Sequence, residues 1–418
     1  MAAPGHPAAS PGCFMLLINV IVRVRHPMTL KSPPKKKRFS FRSAAFRGLI
    51  YQVAAIGLIV AVVWFLAHNT LYNMKIRSIQ SGFDFMTGPA GFDIGESLFP
   101  FDSGQPYWQA FLVGLSNTLR VAIVGIILTT LLGTLLGIGR FSRNALVRGV
   151  CYAYVEFFRN VPVLLQLLMW YLFFTEALPA TADAWKVGPV FLSKGGLSFP
   201  IPVWATGHLG ALIGLVAGIV VAVLYRKLAY RQFETTGRLK SMFWVPVLLC
   251  LAGASLGWLA GGAPTAFDSP RKGEFAIENG GSLTPEFLAV LLGLTIYTAA
   301  FVAEVVRSGI QSVALGQGEA AAALGLNPGQ SMRLVMLPQA LRVIIPPLTN
   351  QFLNLTKNSS LAVAIGYPDV VSIANTALNQ TGRAVECIAV VMLVYLTTSL
   401  TTSLLMNWYN TRSAIKER

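Results

Sequence analysis

Long apolar segments recur along this chain of 418 residues and limit what it can fold into. Hydrophobic residues make up 54% of the sequence and charged residues only 12%, whereas a soluble domain is about one quarter charged. A run of about 20 apolar residues can cross the hydrocarbon core of a bilayer as a helix. The sequence therefore predicts an all-α polytopic membrane protein with about eight transmembrane helices. The predicted spans are 49–67, 111–138, 150–176, 209–225, 243–262, 286–305, 341–364 and 385–408.

Basic residues concentrate in the segments between alternate spans, and the net charge is +16. If the N-terminus is cytoplasmic, the segments on that side carry a roughly threefold excess of Lys and Arg, as the positive-inside rule requires. Both termini are therefore predicted to face the cytoplasm. Topology explains the charge better than nucleic-acid binding, which needs a basic face on a water-soluble fold.

The N-terminal segment, 1–48, is predicted to be a basic cytoplasmic arm, and it contains SPPKKKRFSFR. Its apolar sequence MLLINVIV is too short to span a bilayer, and no small-residue cleavage site follows it. A signal peptide is therefore not predicted. Met28 is an alternative start, which N-terminal sequencing of the mature protein would settle.

Residues with reactive side chains are few and scattered. The four cysteines and four histidines form no CxxC pair or metal-binding spacing, so neither a zinc site nor a disulfide framework is predicted. The G-x-x-x-x-G-K-[ST] loop that cradles ATP phosphates is absent from the sequence, and no nucleophile–base arrangement stands out. We therefore expect a non-catalytic membrane subunit that binds no cofactor itself.

Glycine recurs at every fourth residue in two consecutive predicted spans. This spacing makes a smooth helix face that a neighbouring helix can approach closely, so the two spans are predicted to pack as a hairpin. The alternative is that glycine is simply frequent in transmembrane helices. The glycines are Gly210, Gly214 and Gly218 in one span and Gly253, Gly257 and Gly261 in the other.

The sequence GQGEAAAALGLNPGQSMRLVMLP, 316–338, interrupts the apolar spans and is called the elbow here. Glu319 and the four alanines after it favour a helix. Gly325 suits the left-handed residue that ends such a helix. The elbow therefore begins with a short helix that is predicted to stop at a glycine turn.

A second helix is predicted to follow at once. Asn327 is a good N-cap, Pro328 suits the first helical position, and Gln330 lies three residues after the cap, as in a capping box. This helix is predicted to run to Leu337 and to be disturbed by Pro338. The result is a rigid helix–turn–helix on the cytoplasmic side, with small alanines that allow close approach by a partner.

The spacing of the elbow resembles the EAA loop of bacterial ABC importer permeases, in which EAA precedes a glycine, an aliphatic residue and Leu-Pro. Val335 stands where that family usually has Ile. The sequences FLVGLSNTLRVAIVG, YVEFFRNVPVLLQLL and LTNQFLNLTKNSSLAVAIG are similar to the polar amino-acid branch of the family. In its length, the chain resembles the larger of the two permease subunits in general L-amino-acid importers of the Aap and Bzt type.

The resemblance implies a type I ABC importer permease fold with a cytoplasmic EAA coupling elbow. It places the transmembrane domain at 111–409, with 177–284 as an added loop and helical hairpin. A first transmembrane helix and periplasmic loop at 49–110 precede it, and a cytoplasmic tail at 410–418 follows. The residues it implies for ATPase coupling are Gly318, Glu319, Ala320, Ala321, Gly325, Asn327, Pro328, Leu337 and Pro338.

The resemblance also implies partners. Separate ABC ATPase subunits would hold ATP and Mg, and a second permease subunit would complete a heterodimer. A periplasmic amino-acid-binding protein would deliver an L-amino acid to the complex. The location implied is the bacterial inner membrane.

Polar side chains inside spans are costly, and each is therefore a functional hypothesis. Asn350, Asn354 and Lys357 share one helical face at i, i+4 and i+7. Lys357 and Glu304 are candidate partners for the two charges of an amino acid. The predicted translocation path comprises Asn117, Arg159, Gln166, Glu304, Asn350, Asn354 and Lys357, and Arg120 and Glu156 are further candidates. The alternative for Glu156 and Arg159 is a structural i, i+3 pair.

Two other function classes remain open from the sequence. An ATP-independent secondary transporter or channel would need an ion-coupling site, and no internal repeat supports an inverted-repeat transporter. A membrane enzyme would need a reactive arrangement of side chains. Co-purification of an ATPase subunit, with transport that fails without ATP, would separate the importer from both.

Overall fold

A computed structural model describes residues 44–76, 81–237, 241, 243–273 and 276–413. The chain divides into two compact units, Met1–Ser78 and Ile79–Arg418. In the first unit the described part is helix α1, Ala44–Ile76, which is apolar on all sides. A helix that is apolar all round suits a lipid environment. It contains the predicted span 49–67, and most of the predicted basic arm lies outside the described residues.

Helices α2, Tyr107–Gly139, and α7, Pro285–Gln311, are the central pair of the second unit. Gly133 and Gly137 of α2 lie against the backbone and valines of α7, so that a methyl group at Gly133 would come within 2.6 Å of Val302. Small residues allow two transmembrane helices to approach this closely. This second glycine stripe was not predicted from the sequence, although its glycines also recur at every fourth residue.

The predicted third span, 150–176, is not one continuous helix. Helix α3, Ala145–Asn160, ends at an extended Val161, and α4, Val163–Leu172, continues through a π-helical turn at Phe173–Ala177. The two halves are bent by 103°. The bend occurs because Pro162 disfavours a helical conformation at the residue before it.

The predicted seventh span, 341–364, lies within the first part of a second bent pair of helices. Helix α10, Leu337–Asn358, passes into a 3₁₀ turn at Ser359–Ile365, and α11, Val370–Thr381, follows after a glycine turn. The bend between the two parts is 49°. Helix α12, Ala384–Ser413, completes the described chain.

Among the described residues, five helices are long and apolar enough to cross a membrane, or up to seven if each bent pair is one span. Helix α6, Trp244–Ala260, is apolar but shorter. The predicted count of eight requires α6 as a span and stays a prediction. The remaining α-helices are the short elements α8, Leu315–Ala323, and α9, Pro328–Ser331.

Short antiparallel strands occupy the loops on either side of the hairpin, a feature that the sequence analysis did not predict. Four of them form one sheet in the order β1-β2-β3-β8, and the others form two-stranded ladders, β4 with β5 and β6 with β7. The strands are β1, Trp185–Val187; β2, Val190–Ser193; β3, Gly196–Phe199; β4, Ile201–Pro202; β5, Phe267–Asp268; β6, Arg271–Lys272; β7, Ile277–Glu278; and β8, Gly281–Leu283.

Helix α5, Thr206–Thr236, packs on α6 through the two predicted glycine faces. Gly214 faces the carbonyl oxygen of Gly253, and Gly210 faces that of Gly257. No side chain separates the two backbones along this seam. The predicted packing of the glycine faces is therefore present in the structure.

The glycine seam generates a prediction about stability. A methyl group at Gly214 would collide with the carbonyl oxygen of Gly253, so Gly214→Ala should lower the free energy of unfolding by about 1–3 kcal/mol. The matched control is Gly149→Ala, since Gly149 lies in α3 with open space where a Cβ would go. Thermal unfolding of the full chain in detergent measures both variants. Equal stability of the two variants would contradict the close packing.

Candidate functional site

The first helix of the elbow ends in the predicted glycine turn. Gly325 has a φ of 76°. Its N–H donates to the carbonyl of Ala322 at 2.9 Å, and the Leu326 N–H donates to that of Ala321 at 3.1 Å. This pair of bonds is the Schellman arrangement, which requires a left-handed residue at the position of the glycine. A branched side chain at this position would strain the turn.

The second helix of the elbow begins with the predicted capping box. The Asn327 side-chain oxygen accepts from the Gln330 N–H at 2.8 Å, and the Gln330 side-chain oxygen accepts from the Asn327 N–H at 3.1 Å. Pro328 occupies the first helical position, where its missing N–H is not needed. The turn between the helices is therefore fixed on both sides by hydrogen bonds.

The end of the elbow differs from the sequence prediction. The chain does not leave the helix at Leu337 but continues through a π-helical turn, Met332–Met336, directly into α10. Pro338 lies in the first turn of α10. The wider π-helical turn is the local adjustment that accommodates a proline within a continuous helix. The second arm of the elbow is thus the beginning of a membrane helix.

Apolar side chains of the elbow point into open space. Leu324 is 81% exposed and Leu315, just before the elbow, is 85% exposed, whereas Ala321 is buried at 2%. Glu319 is exposed, and a Cβ at Gly316 or Gly318 would meet nothing within 4 Å. The exposed residues do not contribute packing contacts within the elbow. They form a surface of small and apolar groups that is available to another molecule.

The base of the elbow is packed against two membrane helices. A buried cluster joins Val302 and Val306 of α7 to Val313, and it includes Ala340 and Ile344 of α10. A hydrogen bond from the Gln339 side chain to that of Gln317 at 3.1 Å ties the two arms together. Because close-packed side chains transmit displacement, a movement of the elbow would reach both helices.

The predicted polar face of α10 points away from the buried side of that helix. Asn350, Asn354 and Lys357 are all exposed, and their side chains make no hydrogen bond within the described part of the chain. Asn354 also lines a pocket of about 300 Å³ between α7 and α10. The other lining residues are Tyr297, Thr298, Phe301, Gln351 and Asn358. Polar amides and aromatic rings of this kind suit a small polar ligand.

Asn117 and Gln166 are buried instead, and they bind backbone groups at helix breaks. The Asn117 amide donates to the carbonyl oxygens of Glu96 at 2.8 Å and Pro368 at 3.0 Å. The Gln166 amide donates to those of Phe158 at 3.0 Å and Val161 at 2.9 Å. Both side chains therefore satisfy carbonyls that no helix hydrogen bond reaches.

The two charged candidates from other spans also have partners. The Glu304 carboxylate accepts from Arg140 at 2.6 Å and from Arg307 at 3.1 Å. The Arg159 guanidinium lies 5.4 Å from the centre of the Phe301 ring, which lines the pocket. The alternative Glu156–Arg159 ion pair is absent from the described part of the chain.

Comparison with known families decides the class of this molecule. The family described as binding-protein-dependent transport system inner membrane component matches residues 125–414, which include the elbow, the pocket and both bent helix pairs. This chain belongs to that permease family. The predicted helical permease fold and the resemblance to this family are therefore confirmed, while the count of eight helices and the coupling role of the elbow stay predictions.

Three relatives match the permease over nearly its whole length. It is 45% identical over 387 residues to the general L-amino acid transport system permease protein AapQ of Rhizobium johnstonii, covering 91% of this chain and 96% of the relative. It is 44% identical to the putative amino-acid ABC transporter permease protein YhdX of Escherichia coli, covering 92% and 98%. It is 38% identical to the glutamate/glutamine/aspartate/asparagine transport system permease protein BztB of Rhodobacter capsulatus, covering 94% and 100%.

Sequence reasoning missed how the permease holds its loop 81–106. Buried Glu96 forms an ion pair with Arg120 at 2.5 Å and accepts a hydrogen bond from the Thr284 hydroxyl. Burial raises the pKa of Glu96 although both partners favour its charged form. Arg120, a further candidate for the translocation path, is therefore paired with Glu96. These residues are far apart in the sequence, and no local pattern indicates their contact.

A second ion pair ties the other end of this loop. Arg383, between α11 and α12, donates to the Asp84 carboxylate at 2.7 and 2.9 Å. The hydrogen bond from Arg383 holds the pKa of Asp84 below its usual range. Within the described residues no group of His, Cys, Asp or Glu is arranged to hold a metal ion.

Proposed function

We propose that this permease is a transmembrane subunit of an ATP-driven ABC importer for polar or general L-amino acids. The supporting observation is the combination of family membership with near-complete coverage by three relatives named for amino-acid transport. An ATP-independent secondary transporter is the second candidate, and family membership counts against it. Transport that persists without any ATPase subunit would favour that alternative.

Coupling to ATP hydrolysis is assigned to the elbow. Its exposed surface would enter a cleft on a separate ATPase subunit, which holds ATP and Mg. Its caps keep the two arms at a fixed angle, and its base packs on α7 and α10. The coupling residues of the sequence prediction divide accordingly: Gly325, Asn327 and Pro328 would set the angle, while the exposed Glu319 and Ala320 would meet the partner and the buried Ala321 would not.

The remaining partners and the orientation are part of the same proposal. A second permease subunit would complete the translocation path, and a periplasmic amino-acid-binding protein would supply the substrate. The subunit would lie in the bacterial inner membrane with both termini in the cytoplasm, an orientation that the distribution of basic residues supports. The elbow would then face the cytoplasmic ATPase subunits.

The translocation path is assigned to the exposed face of α10 and its adjoining pocket. Lys357 would bind the carboxylate of the amino acid, and Asn350 and Asn354 would donate or accept hydrogen bonds. The Arg159 guanidinium lies over the ring of Phe301, which lines the pocket. Asn117, Gln166 and Glu304 would support this path through the backbone and ion-pair contacts that they already make.

The coupling role predicts a specific defect for Gly325→Val. A β-branched residue cannot adopt the left-handed conformation without strain, so the elbow should lose its angle. Substrate uptake by the reconstituted complex should fall roughly tenfold or more, and ATP hydrolysis should stop responding to substrate. The control is Gly316→Ala, which adds a methyl group in open space on the same helix. Normal uptake by Gly325→Val would refute the coupling role.

The path assignment predicts that Lys357→Met impairs transport without impairing assembly. Loss of a charge-assisted hydrogen bond to the substrate carboxylate should lower uptake about tenfold. Uptake of a labelled amino acid into proteoliposomes measures this effect, while co-purification of the subunits reports assembly. Lys272→Met removes an exposed lysine in β6 and serves as the control. Unchanged uptake by Lys357→Met would remove this residue from the path.

A further inference from the structure

The hairpin of α5 and α6 has arms of unequal length. Helix α5 has 31 residues and α6 has 17, and their glycine seam fixes the register between them. The Tyr225 hydroxyl donates to the carbonyl of Ser241 at 3.5 Å, just before α6 begins at Trp244. Helix α5 therefore extends beyond the start of α6 from about Tyr225 onward.

Aromatic residues lie together at this end of the hairpin. Phe243 and Trp244 are both exposed, and Tyr225 lies beside the same end of the hairpin. Tyr and Trp concentrate at the level of lipid headgroups, where the ring is partly in contact with hydrocarbon and the polar atom reaches water. The apolar part of α5 ends here, so we infer that the residues that follow lie at the level of the headgroups.

Those next residues are basic and form a groove of about 620 Å³ along one side of α5. Its lining residues are Val223, Arg226, Lys227, Tyr230, Arg231 and Glu234. At 1.5 Å per residue, positions 226–231 lie within about 10 Å of the aromatic boundary. Within the described residues, Arg226, Lys227 and Arg231 take part in no ion pair.

We propose that this groove binds the headgroup of an anionic phospholipid. Arg226, Lys227 and Arg231 would contact the phosphate, Tyr230 would hydrogen-bond the headgroup, and Val223 would contact the beginning of an acyl chain. Three cations face one anion in the groove, Glu234, so its charge is complementary to a negative headgroup. A juxtamembrane basic cluster attracts anionic lipid in this way.

An anionic phospholipid fits this groove better than a free phosphate ion does. The groove is open and lies at the boundary of the apolar helix, where Val223 is exposed beside the charges. A free anion would be screened by salt at such an exposed site. A phospholipid is held at the same depth by its acyl chains and therefore reaches the cluster at a high local concentration.

The test is a titration of the full chain in detergent, with bound molecules counted by native mass spectrometry. The probes are phosphatidylglycerol, phosphatidylcholine and inorganic phosphate. The variant Arg226→Gln/Arg231→Gln should bind phosphatidylglycerol roughly 25-fold more weakly than the original chain, because each of the two basic residues contributes about fivefold. The control, Arg143→Gln/Arg148→Gln, removes two exposed charges before and within α3 and should retain tight binding.

Preferential binding of phosphatidylglycerol, lost in the groove variant and kept in the control, supports the proposal. Equal binding of phosphatidylcholine would overturn it, since the charges would then not select the lipid. Saturation by inorganic phosphate at the same concentration would overturn it in favour of a free-anion site. An equal loss of affinity in the two variants would also overturn it, because general surface charge would then explain the attraction.

Discussion

Backbone hydrogen bonding inside a bilayer is the constraint on which this structure depends. Water is absent from the hydrocarbon region, so every N–H and C=O that leaves a helix needs another partner. At the bend before α4, Gln166 binds two carbonyls; at the turn before α11, Asn117 binds the Pro368 carbonyl and the Thr118 hydroxyl accepts from the Val370 N–H. The bent helices that shape the proposed path therefore exist because a few buried polar side chains complete their hydrogen bonds.

The elbow also needs partners for the backbone groups at its helix ends, and the hydrogen bonds that satisfy them make it stiff. Its glycine turn and capping box satisfy the groups at both helix ends, and its second arm continues without a break into α10. The same helix carries the exposed Asn350, Asn354 and Lys357. One continuous element thus joins the surface proposed for the ATPase partner to the face proposed for the substrate. A partner can shift this subunit between two states only by preferring one position of the elbow.

Local sequence signals predicted the local structure well. The cap residues of the elbow and the glycine faces of the hairpin follow from backbone conformation and side-chain size, which neighbouring residues determine. The roles of Asn117 and Gln166 could not be predicted in this way, because their partners lie on other elements or beyond a bend. Glu304 has one local partner, Arg307, but its contact with Arg140 on another helix has no local signal. The same holds for Glu96 with Arg120 and for the small sheet. Placing a polar residue in a transmembrane span costs free energy in either role. Its presence there therefore does not distinguish substrate binding from structural support.

Force is proposed to enter this permease through the elbow, and site-directed cross-linking in the assembled complex tests this coupling most directly. A cysteine introduced by Leu324→Cys, at the exposed tip of the elbow, should cross-link to a nucleotide-hydrolysing subunit with a yield that changes when ATP is added. A cysteine introduced by Val187→Cys, in the exposed strand β1, should not do so. Cross-linking of position 324 to no such subunit, or its labelling only from the periplasmic side, would contradict the account.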